Sequence, residues 1–302
     1  MNSAEMTAKM AAGSGFIAAL DQSGGSTPKA LAGYGVTADS WSSDEEMFGL
    51  IHDMRSRIIR AACFNGDKVI GAILFERTMD GDVDGTPVPA ALIGKGVVPF
   101  IKIDKGLEDE ASGVQLMKPM PELDALLAKA KALGVYGTKE RSVINSANAE
   151  GIAAVVAQQF AVGSQVLSHG MMPIIEPEVN IKSATRAECD AILKDELTKA
   201  LDALPEGQQV MLKLSLPVVP GTFDALVDHP KVLRLVALSG GFQRPEACAE
   251  LAKNHGIIAS FSRALLEDLR HQMSDAEFEA SLGSAIDEIH TGSTVKAARV
   301  AA

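Results

Sequence analysis

One lysine is embedded in an apolar run, Val210-Met211-Leu212-Lys213-Leu214. An ammonium taken out of water there loses hydration and its pKa falls. The neutral amine can attack a carbonyl carbon and form an imine. Lys102 and Lys139 stand at the ends of two other apolar runs, and their charges would press Lys213 the same way. Dehydrating a carbinolamine needs a proton donor, and cleaving the adjacent carbon–carbon bond needs a base. Asp21 and Glu176, two carboxylates in unlike surroundings, can divide those tasks. Taken alone, Lys213 reads equally as a structural ion pair or a snorkelling side chain, and Glu176 as the salt-bridge partner of a nearby lysine. Three lysines and two acids at run ends shift the reading toward chemistry. Glu178, the second acid of Ile175-Glu176-Pro177-Glu178, reads as a residue that positions others.

A second group of residues suits an anion. Ser239-Gly240-Gly241 follows one apolar run, and Ser262-Arg263 follows the next. Glycines expose backbone N–H groups, a helix start adds its positive end, and arginine binds phosphate in a bidentate fork. Without Arg263, the Ser-Gly-Gly would read as a plain turn. Asp21-Gln22-Ser23-Gly24-Gly25-Ser26-Thr27-Pro28-Lys29 resembles a phosphate loop without the Walker A spacing, and reads equally as a flexible loop. The six histidines form no HxH or HExxH pair and read as surface or loop residues, so no metal site is expected.

These residues need a frame that gathers them. Eight short apolar runs recur: Phe16–Leu20, Val69–Phe75, Val97–Ile103, Val135–Thr138, Met171–Ile175, Gln209–Leu214, Val232–Leu238 and Ile257–Phe261. Their hydrophobicity is continuous rather than alternating, as in strands buried on both faces. Helical patterns lie between them, over Asp44–Asn65, Pro121–Leu133, Asn145–His169, Thr185–Leu204, Pro245–His255 and Arg263–Met273, with Pro121 and Pro245 in first-turn positions. Asp80–Lys95 reads as a long loop or hairpin. Alternating strand and helix predicts an α/β fold, and eight strands predict a closed (β/α)8 TIM barrel, whose C-terminal strand ends share one mouth. No linker divides the chain, so one domain over residues 1–302 is expected. The tail after Gly283 is weakly patterned, and Ala297–Ala302 is expected to be loose.

Composition narrows the function. A net charge of -11 argues against nucleic-acid binding, which needs phosphate neutralisation by Lys and Arg. It leaves open a small anionic substrate met by a local cluster of cations. Met1–Ser14 lacks the apolar stretch of a signal peptide, and no apolar run reaches the ~20 residues that span a bilayer. Cys63, Cys189 and Cys248 lie in helical-looking segments without a CxxC pair, and read as buried or half-buried thiols of a reducing compartment. A cytoplasmic protein with no nucleic-acid or membrane partner is expected.

At these residues the sequence resembles class I fructose-1,6-bisphosphate aldolases, most closely the short bacterial type. The resemblance runs from about Phe16 to Leu269. It is carried by Ala18-Ala19-Leu20-Asp21-Gln22-Ser23-Gly24-Gly25-Ser26, Ile101-Lys102-Ile103-Asp104-Lys105-Gly106, Lys139-Glu140-Arg141, Pro173-Ile174-Ile175-Glu176-Pro177-Glu178, Met211-Leu212-Lys213, Leu238-Ser239-Gly240-Gly241 and Phe261-Ser262-Arg263-Ala264-Leu265. It implies a TIM-barrel lyase without cofactor that cleaves fructose 1,6-bisphosphate reversibly to dihydroxyacetone phosphate and glyceraldehyde 3-phosphate, in a barrel that often self-associates, hence an expected homo-oligomer. Lys213 would be the Schiff-base nucleophile and Glu176 the acid–base group for the carbinolamine. Asp21 would be the base at the C4 hydroxyl, assisted by Lys102 and Lys139. Ser239, Gly240 and Arg263, with Ser260 or Ser262, would hold the C1 phosphate. Ser26, Lys29 and Arg141 would meet the C6 phosphate.

Departures from the animal form bear on this. Glu140 stands where the family often has tryptophan, and an acid beside the C6-phosphate region would weaken that contact. Leu214-Ser215 replaces a Pro-Asn pair. The chain stops at Ala302, so the family's tail with its terminal tyrosine is expected to be missing, and another group or water would protonate the enamine. The rival readings are a Schiff-base lyase for another phosphorylated ketose, and a phosphometabolite-binding protein without turnover.

Overall fold

In the computed structural model, which describes residues 1–298, eight parallel strands close on themselves. They are β1 (Phe16–Leu20), β2 (Val69–Leu74), β3 (Val98–Lys102), β4 (Gly137–Ile144), β5 (Met172–Val179), β6 (Val210–Ser215), β7 (Val232–Leu238) and β8 (Ile258–Phe261). Each pairs with its successor, and β8 returns to β1. The (β/α)8 barrel expected from the eight runs is the fold.

The inside of the barrel is layered by the two-residue period of a strand. Ile17, Ala19, Ile73, Val98, Phe100, Ile174, Met211, Val236 and Ile258 form a small apolar cluster with Met6 and Met10. Those methionines come from helix α1 (Ser3–Ala12), closed at its start by an Asn2–Glu5 capping box. One period beyond the apolar layer stand polar groups: Ala19 is followed by Asp21, Phe100 by Lys102, Ile174 by Glu176 and Met211 by Lys213. The larger core lies outside, between the strands and helices such as α3 (Asp44–Arg60), which is capped by Ser43 and buries Met47, Ile51, Met54, Ile58 and Ile59.

Several boundaries differ from the sequence reading. The fourth strand was expected over Val135–Thr138 and the fifth over Met171–Ile175. Both run on, to Ile144 and Val179, because their polar residues alternate into the mouth and continue the ladder where hydrophobicity stops. Asp80–Lys95 holds a two-residue hairpin at Asp84-Gly85, with left-handed φ of 53° and 77°, and then a helix, α4 (Val88–Gly94). The phosphate-loop-like segment opens helix α2 (Ser26–Gly33). The helix expected over Arg263–Met273 is one turn, Arg263–Leu266, and Pro121 precedes helix α5 (Leu123–Ala132) by two residues. The weakly patterned tail after Gly283 continues, as far as Thr294, the long helix Asp275–Thr294, held at its start by a Ser274–Glu277 capping box. Of the end expected to be loose, Ala297 donates its N–H to Ala252 O, and 299–302 lie outside the described residues. Cys189 and Cys248 are buried, while Cys63 is half-buried in a turn; all three are free thiols.

Helix α6 (Ala149–Ser168) is long and apolar enough, by length and composition, to cross a membrane. It is not an unbroken apolar run, since Glu150, Gln158, Gln159 and Gln165 interrupt it. In the fold it joins β4 to β5 and buries Ile152, Val155, Val156, Phe160 and Val166.

Gly137, the first residue of β4, marks a tight strand approach two residues before Lys139. A Cβ there would lie 2.1 Å from Met172 O and 2.8 Å from Phe100 Cε1. Gly137→Ala is therefore expected to force β4 from β5 and to cost about 1–3 kcal/mol, read as a lowered urea midpoint at unchanged slope. An unchanged midpoint would mean that the strands separate freely.

Candidate active site

The strand ends surround a cavity of about 1040 Å³ at the C-terminal mouth. At its floor, Lys139 Nζ lies 2.7 Å from Asp21 Oδ2 and 2.9 Å from Glu176 Oε2. Lys213 Nζ lies 3.4 Å from Glu176 Oε1. All four residues are buried. Lys102 is held by its own neighbour, with Nζ 2.6 Å from Asp104 Oδ1 and 2.9 Å from Asp104 O. The five residues singled out for catalysis thus share one cavity.

The electrostatics differ from the sequence picture. Burial alone would raise the Asp21 and Glu176 carboxyls, but the facing lysines prevail and hold both below the usual carboxylate range. For Asp21 these are Lys139, Lys213 and Lys102; for Glu176, Lys139 and Lys213. The two acids are not in unlike surroundings: they share one counter-ion. Burial works against charge on Lys139, yet Asp21, Glu176 and Asp104 hold its ammonium well above the usual lysine range. The positive field expected to press on Lys213 is therefore largely neutralised, since Lys139 and Lys102 have their own carboxylates.

The rim is built for anions. Ser239, Gly240, Ser260, Ser262, Arg263, Ser26, Lys29 and Arg141 all line the cavity. Gly240 and Gly241 have φ of 62° and 116°, and a Cβ on Gly241 would lie 3.3 Å from Arg263 Nη2. The turn thus needs glycine for its left-handed backbone and for the guanidinium packed against it. Ser260 Oγ is buried without a partner among the described residues. Ser26 Oγ is bonded within its own turn, to Ser23 N and O. Arg141 Nε is paired to Glu178 Oε2, so the second acid of the Glu-Pro-Glu block fixes an arginine.

Glu140 does not face the cavity. Lys139 and Arg141 alternate into it, while Glu140 is fully buried on the opposite face, where Thr138 Oγ1 donates to its Oε2 at 3.3 Å. Burial and the charge of Asp104 push its carboxyl far above the usual range, favouring the neutral acid. The expected weakening of a phosphate contact by Glu140 has no geometric basis. At the other departure, Ser215 Oγ donates to Val179 O at 2.7 Å and ties β5 to β6 above Lys213.

Three contributors were not singled out from the sequence. Asp104 holds Lys102. Gln159 of α6 accepts from Glu176 N at 3.0 Å and donates to Ser142 Oγ at 3.1 Å. Arg55 of α3 is fully buried and binds Gln22. The available signal was a polar side chain inside an apolar helical stripe, at Arg55 between Ile51 and Ile59, and at Gln159 between Val155 and Val166.

Comparison with known proteins agrees with this frame. The family profile described as "Glycolytic: Fructose-bisphosphate aldolase class-I" matches residues 3–219. A fructose-bisphosphate aldolase from Plasmodium falciparum, solved with TRAP and a small-molecule inhibitor, is similar in fold. The TM-score is 0.75 at 19% identity, over 98% of this chain and 96% of that one. A protein from Corynebacterium glutamicum (Brevibacterium flavum) is similar with a TM-score of 0.51 at 12% identity, over 95% and 92%.

The shared counter-ion predicts a change of sign with pH. Asp21 and Glu176 sit below their unfolded values, so the stability they contribute is present above about pH 4 and lost in stronger acid. Lys139→Met leaves Asp21 buried without its closest cation and raises its folded pKa above the unfolded one. The folded state then binds more protons than the unfolded, and stability falls as pH rises. Urea unfolding is expected to show a loss of about 3–5 kcal/mol at pH 7. The midpoint should fall from pH 5.5 to 8 relative to the unsubstituted protein, and a parallel profile would refute the sharing of Lys139.

Proposed function

The chain belongs to the class-I fructose-bisphosphate aldolase family, and on that premise we propose that it cleaves fructose 1,6-bisphosphate reversibly through an imine on Lys213. The family's chemistry is aldol cleavage, so the protein is a lyase; the substrate and the residue roles are our reading. One observation carries it: of the three lysines that stand at strand ends on the cavity, Lys102, Lys139 and Lys213, the last is the least engaged. Lys139 has carboxylates at 2.7 and 2.9 Å and Lys102 has one at 2.6 Å, whereas Lys213 has, among the described residues, only Glu176 at 3.4 Å.

That geometry supports a balanced sequence. Lys213 passes a proton to Glu176 Oε1, and the neutral amine attacks the C2 ketone. Glu176, now an acid, protonates the departing hydroxyl of the carbinolamine, and water leaves with formation of the iminium. Asp21 removes the C4 hydroxyl proton. The C3–C4 bond breaks, its electrons move into the iminium to give an enamine, and the aldehyde departs. The Lys139 ammonium stays between the two carboxylates and offsets whichever is ionised. One phosphate would lie at Ser239, Gly240, Ser262 and Arg263, the other toward Ser26, Lys29 and Arg141. We read residues 1–302 as one catalytic unit, cytoplasmic and self-associating.

Borohydride is expected to trap dihydroxyacetone phosphate covalently, with peptide mapping placing the adduct on Lys213. Lys213→Met should abolish adduct and turnover together, and EDTA should leave the rate unchanged. EDTA-sensitive turnover, or full turnover in Lys213→Met, rejects the mechanism. A panel of phosphorylated ketoses tests the substrate, and binding without adduct or turnover marks a non-catalytic protein.

A further inference from the structure

Helix α3 carries a guanidinium where its stripe calls for an apolar side chain. Arg55 is 0% exposed, beside Met54, Ile58 and Ile59. Its hydrogen-bond partners among the described residues are all neutral. Nη1 donates to Thr78 Oγ1 at 2.7 Å, and Nη2 donates to Gln22 O at 2.5 Å and to Gln22 Oε1 at 3.1 Å. Nε has no partner. Burial draws its pKa down to about 10, opposed by the charge of Asp21, so it remains a cation at neutral pH. A buried cation bonded only to neutral groups is costly, and this one is spent on the residue after Asp21.

The bonds fix what Gln22 does. Arginine only donates, so the amide oxygen of Gln22 must face Arg55. Its NH2 group must then face the other side, where Ala19 O lies at 3.3 Å and Ser262 Oγ at 2.6 Å. A hydroxyl has one hydrogen to give. With Ser262 Oγ accepting from Gln22, its hydrogen is left for the cavity it lines next to Arg263.

We propose that Arg55 is a positioning residue for phosphate: by locking the Gln22 amide it makes Ser262 a hydrogen-bond donor to the phosphate group at Ser239, Gly240 and Arg263. This deepens the proposed function and rests on its phosphate assignment. Arg55 itself touches no substrate; it sits behind the barrel wall and acts through two side chains. If Gln22 were free to turn, its amide oxygen would take the Ser262 hydrogen, and the serine would present a lone pair to the anion.

The test is a pair of double-mutant cycles read by calorimetric binding of inorganic phosphate. Arg55→Lys and Gln22→Met both preserve the charge of the site, so a change in its net field cannot account for an effect. Lysine has no fork to hold both oxygens of Gln22, and methionine has no amide. Each is expected to weaken phosphate binding about tenfold or more, as loss of a hydrogen bond to a charged group does. In a Ser262→Ala background each should change binding by less than about twofold, because the relay then has no end. A merely structural role would give the same loss in both backgrounds, and that result overturns the proposal, as does unchanged binding in either single variant. Unfolding midpoints show which variants are folded, and Gln22→Met carries the test if Arg55→Lys is not. No phosphate binding by the unsubstituted protein also overturns it. Borohydride trapping is read separately: no adduct with an intact phosphate cycle rejects the imine and leaves the relay standing.

Discussion

One ammonium, Lys139 Nζ, makes the rest of the site possible. Two carboxylates inside a barrel, both out of water, would repel by about 4 kcal/mol at 4 Å and an effective dielectric of 20, on top of the cost of burying each. Lys139 lies within 3 Å of both Asp21 and Glu176 and lets both ionise. The same contacts commit it: a lysine between two carboxylates holds its proton and cannot be a nucleophile. The division of labour among the lysines follows from which carboxylate each was given. Lys139 is the counter-ion, Lys102 is tethered to Asp104, and Lys213 has the longest carboxylate contact of the three, to Glu176 at 3.4 Å.

The position of that ammonium follows from strand periodicity. Inward side chains recur every two residues, and in a closed parallel barrel they stack in layers along the axis. The lower layer is apolar and closed from beneath by Met6 and Met10. The next layer up holds Asp21, Lys102, Lys139, Glu176 and Lys213. A one-residue slip of β4 would turn Lys139 outward and bring Glu140 into the cavity, adding a third carboxylate where a cation is needed. Gly137, with Met172 O at 2.1 Å from a hypothetical Cβ, is one of the contacts that closely set where β4 lies.

The strands were legible in the sequence because burial on both faces leaves a continuous apolar run, and each run marks a strand of the barrel. The far ends of β4 and β5 were not, since Lys139, Arg141, Glu176 and Glu178 remove the hydrophobic signal where the ladder continues. Helix α4 was hidden by the Gly, Pro and Asp of the hairpin before it, and α1 by its short span. Residue types and strand positions were enough to bring the catalytic candidates together. They did not reveal who pairs with whom, because pairing depends on side-chain reach across the mouth. Hence the positive field expected around Lys213 is mostly cancelled, and Asp21 and Glu176 share surroundings expected to differ.

Polar residues behind the wall complete the picture. Gln159 holds Glu176 N and Ser142, Ser215 ties β5 to β6, and Arg55 locks Gln22. Each replaces an apolar contact with a hydrogen bond whose net worth is about 1 kcal/mol, so none is there because it is the cheapest way to fill the space. Each instead removes a freedom that a group on the cavity would otherwise have: the path of the strand at Glu176, the top of β6 beside Lys213, and the direction of the Gln22 amide. Polar side chains that interrupt an apolar stripe thus trace a second row of the site, one layer behind the cavity. Glu140 is the exception that sharpens the rule. It interrupts the same wall, yet among the described residues its Oε1 meets no partner and its Oε2 meets only Thr138, so it constrains nothing on the cavity and is accommodated by favouring its proton.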